Sequence, residues 1–341
     1  MSKATAASSR SADGRDGRAP RTGRVLMPAR TRRIVVTGGA GFVGSWLLRA
    51  GEAARERDGI EMIALSDRAG AEPGIDIRDA EAVSRRIAEI QPSALIHLAA
   101  IAAPAQARAD AKLAWDVNVM GTLNLAQALR RHASEARFVY VGSSEAYGAS
   151  FLSSPDPIGE DAAFLPRTPY GATKAAADLM IGQMAVDGLD CIRFRPFNHT
   201  GPGQSDSYVV AAFAKQVALI ERGLQPPILK VGNLDAERDF LDVRDVVDAY
   251  LRSLEVDLSA CPGVPVNLAT GQPVRIGAIL DALLAEAMVP IRVQTDTMLL
   301  RPNDVPRASG RSASARELLG WQPRRTLRQT LRDVLDYWRS H

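Results

Sequence analysis

The stretch from Arg33 to Leu48 limits the possible folds more than any other. The β-branched run Arg33–Thr37 (RIVVT) leads directly into the glycine-rich segment Gly38–Gly44 (GGAGFVG), and Ser45–Leu48 continues with helical character. Glycines in a strand–turn–helix allow a tight turn and a close backbone approach to a pyrophosphate at the helix N-terminus. We therefore expect a dinucleotide-binding loop made by Gly38, Gly41, Phe42, Val43 and Gly44. The alternative is an ordinary strand–helix turn.

An acidic residue follows the next strand-like run, near the position where dinucleotide-binding folds contact the adenosine ribose. The run Glu61–Ser66 ends at Asp67, which follows Gly44 by 23 residues, and Arg68 comes next. A carboxylate here favours NAD because it repels a 2′-phosphate, whereas an arginine favours NADP. The sequence therefore leaves the cofactor as NADP or NAD. Surface-loop charges are the alternative reading of both residues.

Strand-like and helical segments alternate through the first 200 residues. The helical stretches are 80–90 and 113–132, and the strand-like runs include 94–100, 137–141 and 191–195. Such alternation predicts an α/β fold with a Rossmann-type doubly wound parallel sheet, whose ligands bind beyond the carboxyl ends of the strands. The small residues Ala99 and Ala100 after Leu98 would let the chain pass close to a cofactor. His97 has no acidic partner nearby in sequence, so we expect a packed core histidine rather than a catalyst.

Tyr170 and Lys174 form a candidate proton-transfer pair. Pro169 suits the first position of a helix, and side chains four residues apart lie on one helix face. A phenol titrates near pH ~10, and a neighbouring ammonium favours the phenolate, so we expect Lys174 to lower the pKa of Tyr170. The same spacing also arises by chance in an ordinary helix, so the pair needs a cofactor and a substrate oxygen beside it.

Composition excludes several classes of protein. Residues 1–33 hold Lys3 and eight arginines against two aspartates, so the overall charge of +3 hides a net acidic body, and we expect no nucleic-acid partner. The tail 1–31 is basic and rich in glycine and serine, which predicts disorder. Only Cys191 and Cys261 are present, without metal-ligand spacing, and no apolar run suits a membrane helix. A cytoplasmic location and no metal are the expectations.

Five motifs resemble the extended short-chain dehydrogenase/reductase family over nearly all of residues 32–340. They are TGGAGFVG at 37–44, HLAA at 97–100, NVMGT at 118–122, GSSEAYG at 142–148 and YGATK at 170–174. The resemblance implies that Ser143 binds the reacting oxygen, Tyr170 is the acid/base and Lys174 holds the nicotinamide ribose. It also implies that Asp76 and Ile77 flank the adenine. A homodimer through a four-helix bundle is expected from the helices after NVMGT and around YGATK.

Three later segments point to the substrate. Within that family, FNHTGPGQ at 197–204, VGNLDAERDF at 231–240 and LRPNDVP at 300–306 resemble the GDP-4-keto-6-deoxy-D-mannose reductases. The resemblance implies that Asn198 and Arg238 contact a diphosphate and that Arg301 closes over it. Asp304 is a candidate contact for the sugar or the guanosine and stands where that group has glutamate, which is one methylene longer. The remaining candidate substrate contacts are Ser144, Glu145, Gly203, Gln204 and Lys230.

The expected reaction is NAD(P)H-dependent reduction of the C4 keto group of GDP-4-keto-6-deoxy-D-mannose to GDP-D-rhamnose. A nucleotide-sugar 4,6-dehydratase or 4-epimerase of the same family stays open, because dehydratases share the NLDAxRD element and Glu145 occurs in both. A cofactor-sensing regulator without chemistry is a further alternative. Neither the cofactor preference nor the product stereochemistry follows from the sequence.

The expected organisation has two lobes. Residues 32–197, with a return segment near 236–258, form the NAD(P)-binding Rossmann domain. Residues 198–235 and 259–341 form a smaller C-terminal α/β substrate-binding lobe.

Overall fold

The strand-like runs become the strands of a parallel sheet. The computed structural model describes residues 32–65, 74–153, 155–300 and 305–341. The predicted tail 1–31 and the candidate residues Asp67, Arg68, Arg301 and Asp304 lie outside the described residues. The strands are β1 (Arg32–Thr37), β2 (Ile60–Leu65), β3 (Ala94–His97), β4 (Arg137–Val141), β5 (Cys191–Pro196), β6 (Asn198–Thr200), β7 (Ile228–Val231), β8 (Glu237–Asp242), β9 (Pro265–Leu268), β10 (Pro273–Arg275), β11 (Arg292–Thr295) and β12 (Arg307–Ala308).

The helices alternate with these strands along the first half of the chain and are concentrated at its C-terminal end. They are α1 (Phe42–Asp58), α2 (Ala80–Ile90), α3 (Pro104–Ala109), α4 (Ala111–Trp115), α5 (Thr122–His132), α6 (Pro169–Val186), α7 (Val209–Glu221), α8 (Val243–Arg252), α9 (Ile276–Ala285), α10 (Ala313–Leu319) and α11 (Leu327–Ser340). Among the described residues, no helix combines the length and the apolar character that crossing a membrane requires.

The main sheet has six strands in the order β2-β1-β3-β4-β5-β9, all parallel. Alternate residues of β1 face opposite sides: Ile34 and Val36 pack with α1 and α8, whereas Val35 packs with α2, α5 and α6. Helices therefore cover both faces, as the doubly wound prediction requires. The order reverses between β1 and β3, which places the ligand crevice of such folds beyond the carboxyl ends of these two strands.

Strand β9 belongs to this main sheet, although the sequence division assigns residues 259–341 to the smaller lobe. Its residues pair in parallel with β5, from Arg193 opposite Pro265 to Pro196 opposite Leu268. Val266, Asn267 and Leu268 are fully buried there. Strand β9 joins the main sheet because its buried apolar residues, Val266 and Leu268, pack in the same core as those of β5.

The second half of the chain brings distant segments together through β8. Strand β6 pairs in parallel with β8, so Asn198 stands opposite Phe240, while β10 and β12 flank the Arg238 end. A separate apolar core joins α7, α9 and α11 to β7 and β8. The segments 197–204 and 231–240, which the sequence indicates for substrate binding, thus become neighbours.

The helical stretch predicted over 113–132 is interrupted. A π-helical segment, Asp116–Gly121, joins α4 to α5. Asn118 within it accepts a hydrogen bond from the Ile101 amide at 2.8 Å and donates one to the Thr173 hydroxyl at 2.9 Å. These long-range bonds account for the local departure from α geometry, which helical periodicity alone does not reveal.

Candidate active site

The glycine loop passes so close to neighbouring backbone that side chains would not fit at two of its positions. Gly38 follows β1 with φ +69°, and a Cβ there would lie 2.7 Å from the Ala99 amide nitrogen. A Cβ on Gly44 would lie 2.3 Å from the Gly38 carbonyl oxygen. Helix α1 begins at Phe42, and its N-cap residue Gly41 supplies no side-chain hydrogen bond. The first-turn N–H groups therefore have no intrahelical partner, an arrangement that fits a dinucleotide pyrophosphate.

The end of β3 lies directly beside this loop. The Leu98 amide donates to the Thr37 carbonyl at 3.3 Å, and the Ala99 amide donates to the Thr37 hydroxyl at 3.2 Å. Leu98, Ala99 and Ala100 are all partly exposed. The structure therefore brings the predicted cofactor residues of both strands to one crevice at the point where the sheet order reverses.

Asp76 and Ile77 have different surroundings. Asp76 forms a bidentate ion pair with the Arg78 guanidinium, which holds the pKa of that carboxyl below its usual value. Ile77 is 8 % exposed and packs under the π-helical segment, where a Cβ on Gly121 would lie 2.6 Å from its Cδ1 atom. Ile77 is thus part of the packed core beneath the π-helical segment, whereas Asp76 is exposed to solvent.

Tyr170 meets Ser143 because a glycine lets helix α6 approach the turn after β4. The helix begins at Pro169, and the N-cap hydroxyl of Thr168 accepts a bond from the Gly171 amide at 3.0 Å. A Cβ on Gly171 would lie 2.6 Å from the Glu145 carbonyl oxygen, so only glycine permits this contact. The side chains of Ser143 and Tyr170 are hydrogen-bonded to each other.

Lys174 lies one turn further along α6 and is 5 % exposed. Its ammonium donates to the Val141 carbonyl at the end of β4, over 2.7 Å. Burial lowers the pKa of Lys174 to about 8. Lys174, Ser143 and Tyr170 thus gather at the carboxyl end of β4, as expected from the motifs.

The expected electrostatic effect of Lys174 on Tyr170 is wrong in this structure. Burial raises the pKa of the Tyr170 phenol above its usual value, while the Ser143 hydrogen bond acts in the other direction. The physical reason is desolvation, which disfavours the phenolate, while the Lys174 ammonium is directed to a backbone carbonyl. At neutral pH the phenol is therefore protonated.

Buried hydrogen bonds fix the backbone that carries Tyr170 and the neighbouring end of β3. The hydroxyl of Thr173 donates to the Tyr170 carbonyl at 2.8 Å and accepts from Asn118. His97 is 1 % exposed and hydrogen-bonds the hydroxyls of Thr37 and Thr122, and burial lowers its pKa to about 3. The prediction of a packed core histidine is confirmed.

A buried ion cluster braces the same helix. The Arg195 guanidinium is bonded to both carboxylate oxygens of Asp178, each at 2.9 Å, and it donates to the Tyr147 hydroxyl at 2.9 Å. Asp178 is 1 % exposed, lies one turn beyond Lys174 and also pairs with Arg193. Sequence reasoning missed this cluster, although charged residues inside strand-like RFR were its signal.

A cavity of about 450 Å³ opens beside Glu145. It collects candidate substrate residues from separate segments, namely Glu145, Asn198, Gln204, Lys230 and Arg238. Residues that the sequence reasoning did not select also line it, among them Asp206, Ser207, Tyr208 and Gln216. Asp206, Ser207 and Tyr208 form the polar run directly ahead of the apolar helix α7, which was their signal, whereas Gln216 lies within α7.

The predicted substrate residues are held in different ways. Gln204 is 5 % exposed and braces its own loop, because it accepts from the Thr200 hydroxyl and donates to the His199 carbonyl. Gly203 has φ +87°, which glycine adopts without strain, and it does not line the cavity. Ser144 is buried and also lies outside the lining.

The two cavity cations differ in their anchoring. Lys230 pairs with Asp296 at 3.6 Å, and the amide of Gln216 bonds both backbone groups of Lys230. Arg238 is partly buried on β8 and donates to the Glu237 carbonyl at 2.8 Å. Over the residues that the structure describes, no cluster of potential ligands could hold a metal ion.

This fold and site define a member of the extended short-chain dehydrogenase/reductases. A sequence profile described as GDP-mannose 4,6 dehydratase matches residues 73–334, and the chain belongs to this family. The GDP-6-deoxy-D-mannose reductase of Pseudomonas aeruginosa is 35% identical over 91% of this chain and 98% of its own. The UDP-glucose 4-epimerase of Mycolicibacterium smegmatis is 30% identical over 90% and 99%.

Solved structures give the same grouping. The structure of RMD from Pseudomonas aeruginosa complexed with NADPH has a TM-score of 0.80 at 34% identity, covering 91% of this chain and 99% of that one. The UDP-glucose 4-epimerase of Thermus thermophilus in complex with NAD has a TM-score of 0.75 at 26% identity, covering 90% and 99%.

Proposed function

We propose that this chain reduces the C4 keto group of GDP-4-keto-6-deoxy-D-mannose to GDP-D-rhamnose with NADPH or NADH. One observation carries the proposal: Glu145, whose amide donates to the Ser143 hydroxyl at 3.1 Å beside Tyr170, lines the same cavity as Asn198 and Arg238. The similarity to the GDP-6-deoxy-D-mannose reductase over nearly the whole chain supports this substrate class.

In this mechanism the bound reduced nicotinamide supplies the hydride. Tyr170 delivers its proton to the oxygen on C4, and the Ser143 hydroxyl donates a hydrogen bond to the same oxygen. A phenol carries its proton at neutral pH, so Tyr170 can give the proton that the reductive direction requires. An oxidation would instead require a phenolate at rest.

The cofactor contacts in this proposal come from the glycine loop and the end of β3. Residues Gly38, Gly41, Phe42, Val43 and Gly44 hold the pyrophosphate, and Leu98 to Ala100 line the path of the nicotinamide half. An ammonium has three donors, and Lys174 uses one for the Val141 carbonyl, so two are left for ribose hydroxyls. Asp76 and Ile77 flank the adenine.

Substrate contacts are assigned to the cavity side chains. Arg238 and Asn198 bind the diphosphate, since a guanidinium and an amide donate to phosphate oxygens. Glu145 and Lys230 complete the polar lining. Gln204 acts through the loop that it braces, because its amide is already engaged there.

A 4,6-dehydratase is the second candidate, because Glu145 lines the cavity close to Ser143 and carboxylates serve as bases in such reactions. Purified protein is incubated with GDP-mannose without reduced cofactor, and separately with the GDP-keto sugar plus NADPH or NADH. We expect no reaction in the first assay and cofactor oxidation in the second. A 4-keto product from GDP-mannose alone would favour the dehydratase instead.

We further propose a homodimer through a four-helix bundle made by α6 and by α5 with the segment that leads into it. Large apolar side chains are exposed there: Trp115 at 43%, Met120 at 48%, Leu179 at 62% and Val186 at 86%. Apolar patches of this kind mark protein–protein interfaces. Leu179→Glu should convert the dimer to a monomer in sedimentation equilibrium. Leu224→Glu, at a 64%-exposed site on another surface, should leave the dimer intact.

A cytoplasmic location belongs to the same proposal. Cys191 and Cys261 are free thiols, which suits a reducing compartment.

A further inference from the structure

Helix α1 is tied to the substrate loop by an indole. Trp46 stands on the first turns of α1, just after the glycine loop. Its Nε1–H donates to the Pro202 carbonyl at 3.0 Å. Pro202 belongs to the loop 198–204, which carries Asn198 at one end and Gln204 at the other. One hydrogen bond therefore connects the helix that faces the cofactor with the loop that faces the substrate.

Two further contacts act across the same junction. The Phe42 and His199 rings are stacked, with centroids 6.4 Å apart and planes inclined by 6°. A Cβ on Gly201 would lie 3.6 Å from the Phe42 ring, so the loop backbone passes close to it. Phe42 is the first residue of α1, and His199 lines the substrate cavity.

The Trp46 indole itself contacts two arginines. The guanidinium carbons of Arg49 and Arg244 lie 5.4 Å and 5.8 Å from its ring centroid. Arg244 is fixed in turn, because it bonds the buried carboxylate of Asp242 and pairs with Asp333 on α11. Cation–π contacts from two guanidinium groups limit how the indole can tilt. The ring can therefore transmit a shift of α1 to the loop instead of absorbing it.

The loop is stiff enough to carry such a shift. Gln204 bonds Thr200 and the His199 carbonyl, and β6 pairs with β8 at Phe240 and Asp242. A displacement imposed at Pro202 therefore reaches Asn198 and the neighbouring β8 strand, which bears Arg238. Elements packed in this way move together rather than bending independently.

We propose that Trp46 is a positioning residue that couples cofactor binding at the N-terminus of α1 to diphosphate binding at the loop 198–204. The inference rests on the proposed function and adds an energetic link between its two sites. A cofactor that fixes the position of the first turn of α1 also fixes the position of the stiff loop, so the substrate then binds to a loop that is already in place. By linkage, the substrate strengthens cofactor binding by the same factor.

The test measures binding by calorimetry and does not use turnover. GDP binding to the full chain is measured with and without saturating NADP⁺, or NAD⁺ if that binds more tightly, and the reverse titration checks reciprocity. GDP lacks the sugar, so it cannot couple through contact of the sugar with the nicotinamide. We expect the cofactor to tighten GDP binding at least about fivefold in the wild type. In Trp46→Phe, which keeps the ring but loses the donor, the factor should fall below about twofold.

The matched control is Trp321→Phe. Trp321 donates an indole N–H bond to the Asp245 carbonyl at 2.8 Å and belongs to the apolar core against which Trp46 packs, so this variant separates a general loss of core stability from loss of the Trp46–Pro202 bond. Its loss should lower the melting temperature yet leave the coupling factor at the wild-type value. If Trp46→Phe folds poorly, Trp46→His supplies a ring donor of different reach and should retain part of the coupling.

Different outcomes separate the two proposals. Independent binding of GDP and cofactor in the wild type would overturn the role of Trp46, as would undiminished coupling in Trp46→Phe. Failure of the wild type to bind either ligand would contradict the proposed function and the inference together.

Discussion

Two lysines illustrate how differently the two sides of the site are built. At the edge of the main sheet, Lys174 is 5 % exposed and donates to a backbone carbonyl at 2.7 Å. In the cavity, the Lys230 side chain is 63% exposed and pairs with Asp296 at 3.6 Å. The first is fixed in a low-dielectric environment, whereas the second stays solvated and able to adjust.

The same contrast extends to their neighbours. Tyr170, Ser143 and Lys174 lie where strand and helix ends meet, and buried bonds from Asn118 and Thr173 hold the helix behind them. Asn198, Lys230 and Asn233 are exposed on short strands and loops. Groups that transfer a proton need a fixed geometry, whereas groups that bind a flexible diphosphate can reorient on binding. The expected consequence is that substitutions on the two sides change different quantities.

The largest effect is expected for Tyr170→Phe. Loss of the phenolic proton donor should lower kcat about 10²- to 10⁴-fold, while cofactor and GDP affinity stay close to wild type. Steady-state kinetics with calorimetric binding checks this. The control is Tyr337→Phe on α11, which should retain wild-type turnover. Near-wild-type activity in the Tyr170 variant would remove the proposed mechanism.

Asp178→Asn should cost the most stability. The substitution leaves the buried Arg195 and the partly buried Arg193 without their carboxylate, and breaking a buried pair in this way typically costs about 3–5 kcal/mol of unfolding free energy. Denaturant unfolding measures the loss. Asp187→Asn, in a pair with Arg130 where the aspartate side chain is 49% exposed, should change it by less than about 0.5 kcal/mol. Equal effects would mean that the cluster does not brace α6.

On the cavity side, Arg238→Gln should act on binding alone. Loss of a charge-assisted bond to phosphate should weaken GDP affinity about tenfold or more, while NADP⁺ affinity and the melting temperature stay unchanged. Arg275→Gln on the paired strand is the control, since Arg275 lies outside the cavity lining. A fall in kcat without a change in GDP affinity would contradict the binding role and would instead group Arg238 with the proton-transfer residues.

The smallest effect is a pH dependence of stability from Lys174. Its pKa is lowered from 10.5 to about 8 on folding, so folding releases a proton between these values. The unfolded chain then binds more protons, and stability from this group rises with pH. Relative to Lys174→Met, the wild type should gain about 1 kcal/mol of unfolding free energy between pH ~7 and ~9. A constant difference between the two proteins would mean that Lys174 is not desolvated.

Local patterns in the sequence predicted much of the structure around the proton-transfer residues at the edge of the main sheet. Helix α2 begins and ends where the apolar spacing indicates. It begins after Asp79 because that side chain caps it through bonds from the Glu81 and Ala82 amides. The run 137–141 is a strand over its full predicted length. Motif positions also brought Ser143 and Tyr170 together, although 27 residues separate them in the chain.

Features that depend on distant partners were missed. The π-helical segment follows from bonds of Asn118 to Ile101 and Thr173, and β9 joins the main sheet through its pairing with β5. The spacing of Tyr170 and Lys174 gave their adjacency on α6 but not their burial, which sets the direction of both pKa shifts. Desolvation is a property of the folded surroundings and leaves no local pattern in the chain.

The central claim is net hydride transfer to C4 of the sugar, and isotope labelling tests it most directly. The wild-type protein is supplied with GDP-4-keto-6-deoxy-D-mannose and NADPH deuterated at the transferable position of the nicotinamide, and the sugar product is analysed by NMR. Deuterium is expected at C4 of GDP-D-rhamnose, with one cofactor oxidised per product. A product without deuterium, or turnover that leaves the reduced cofactor unconsumed, would contradict the claim.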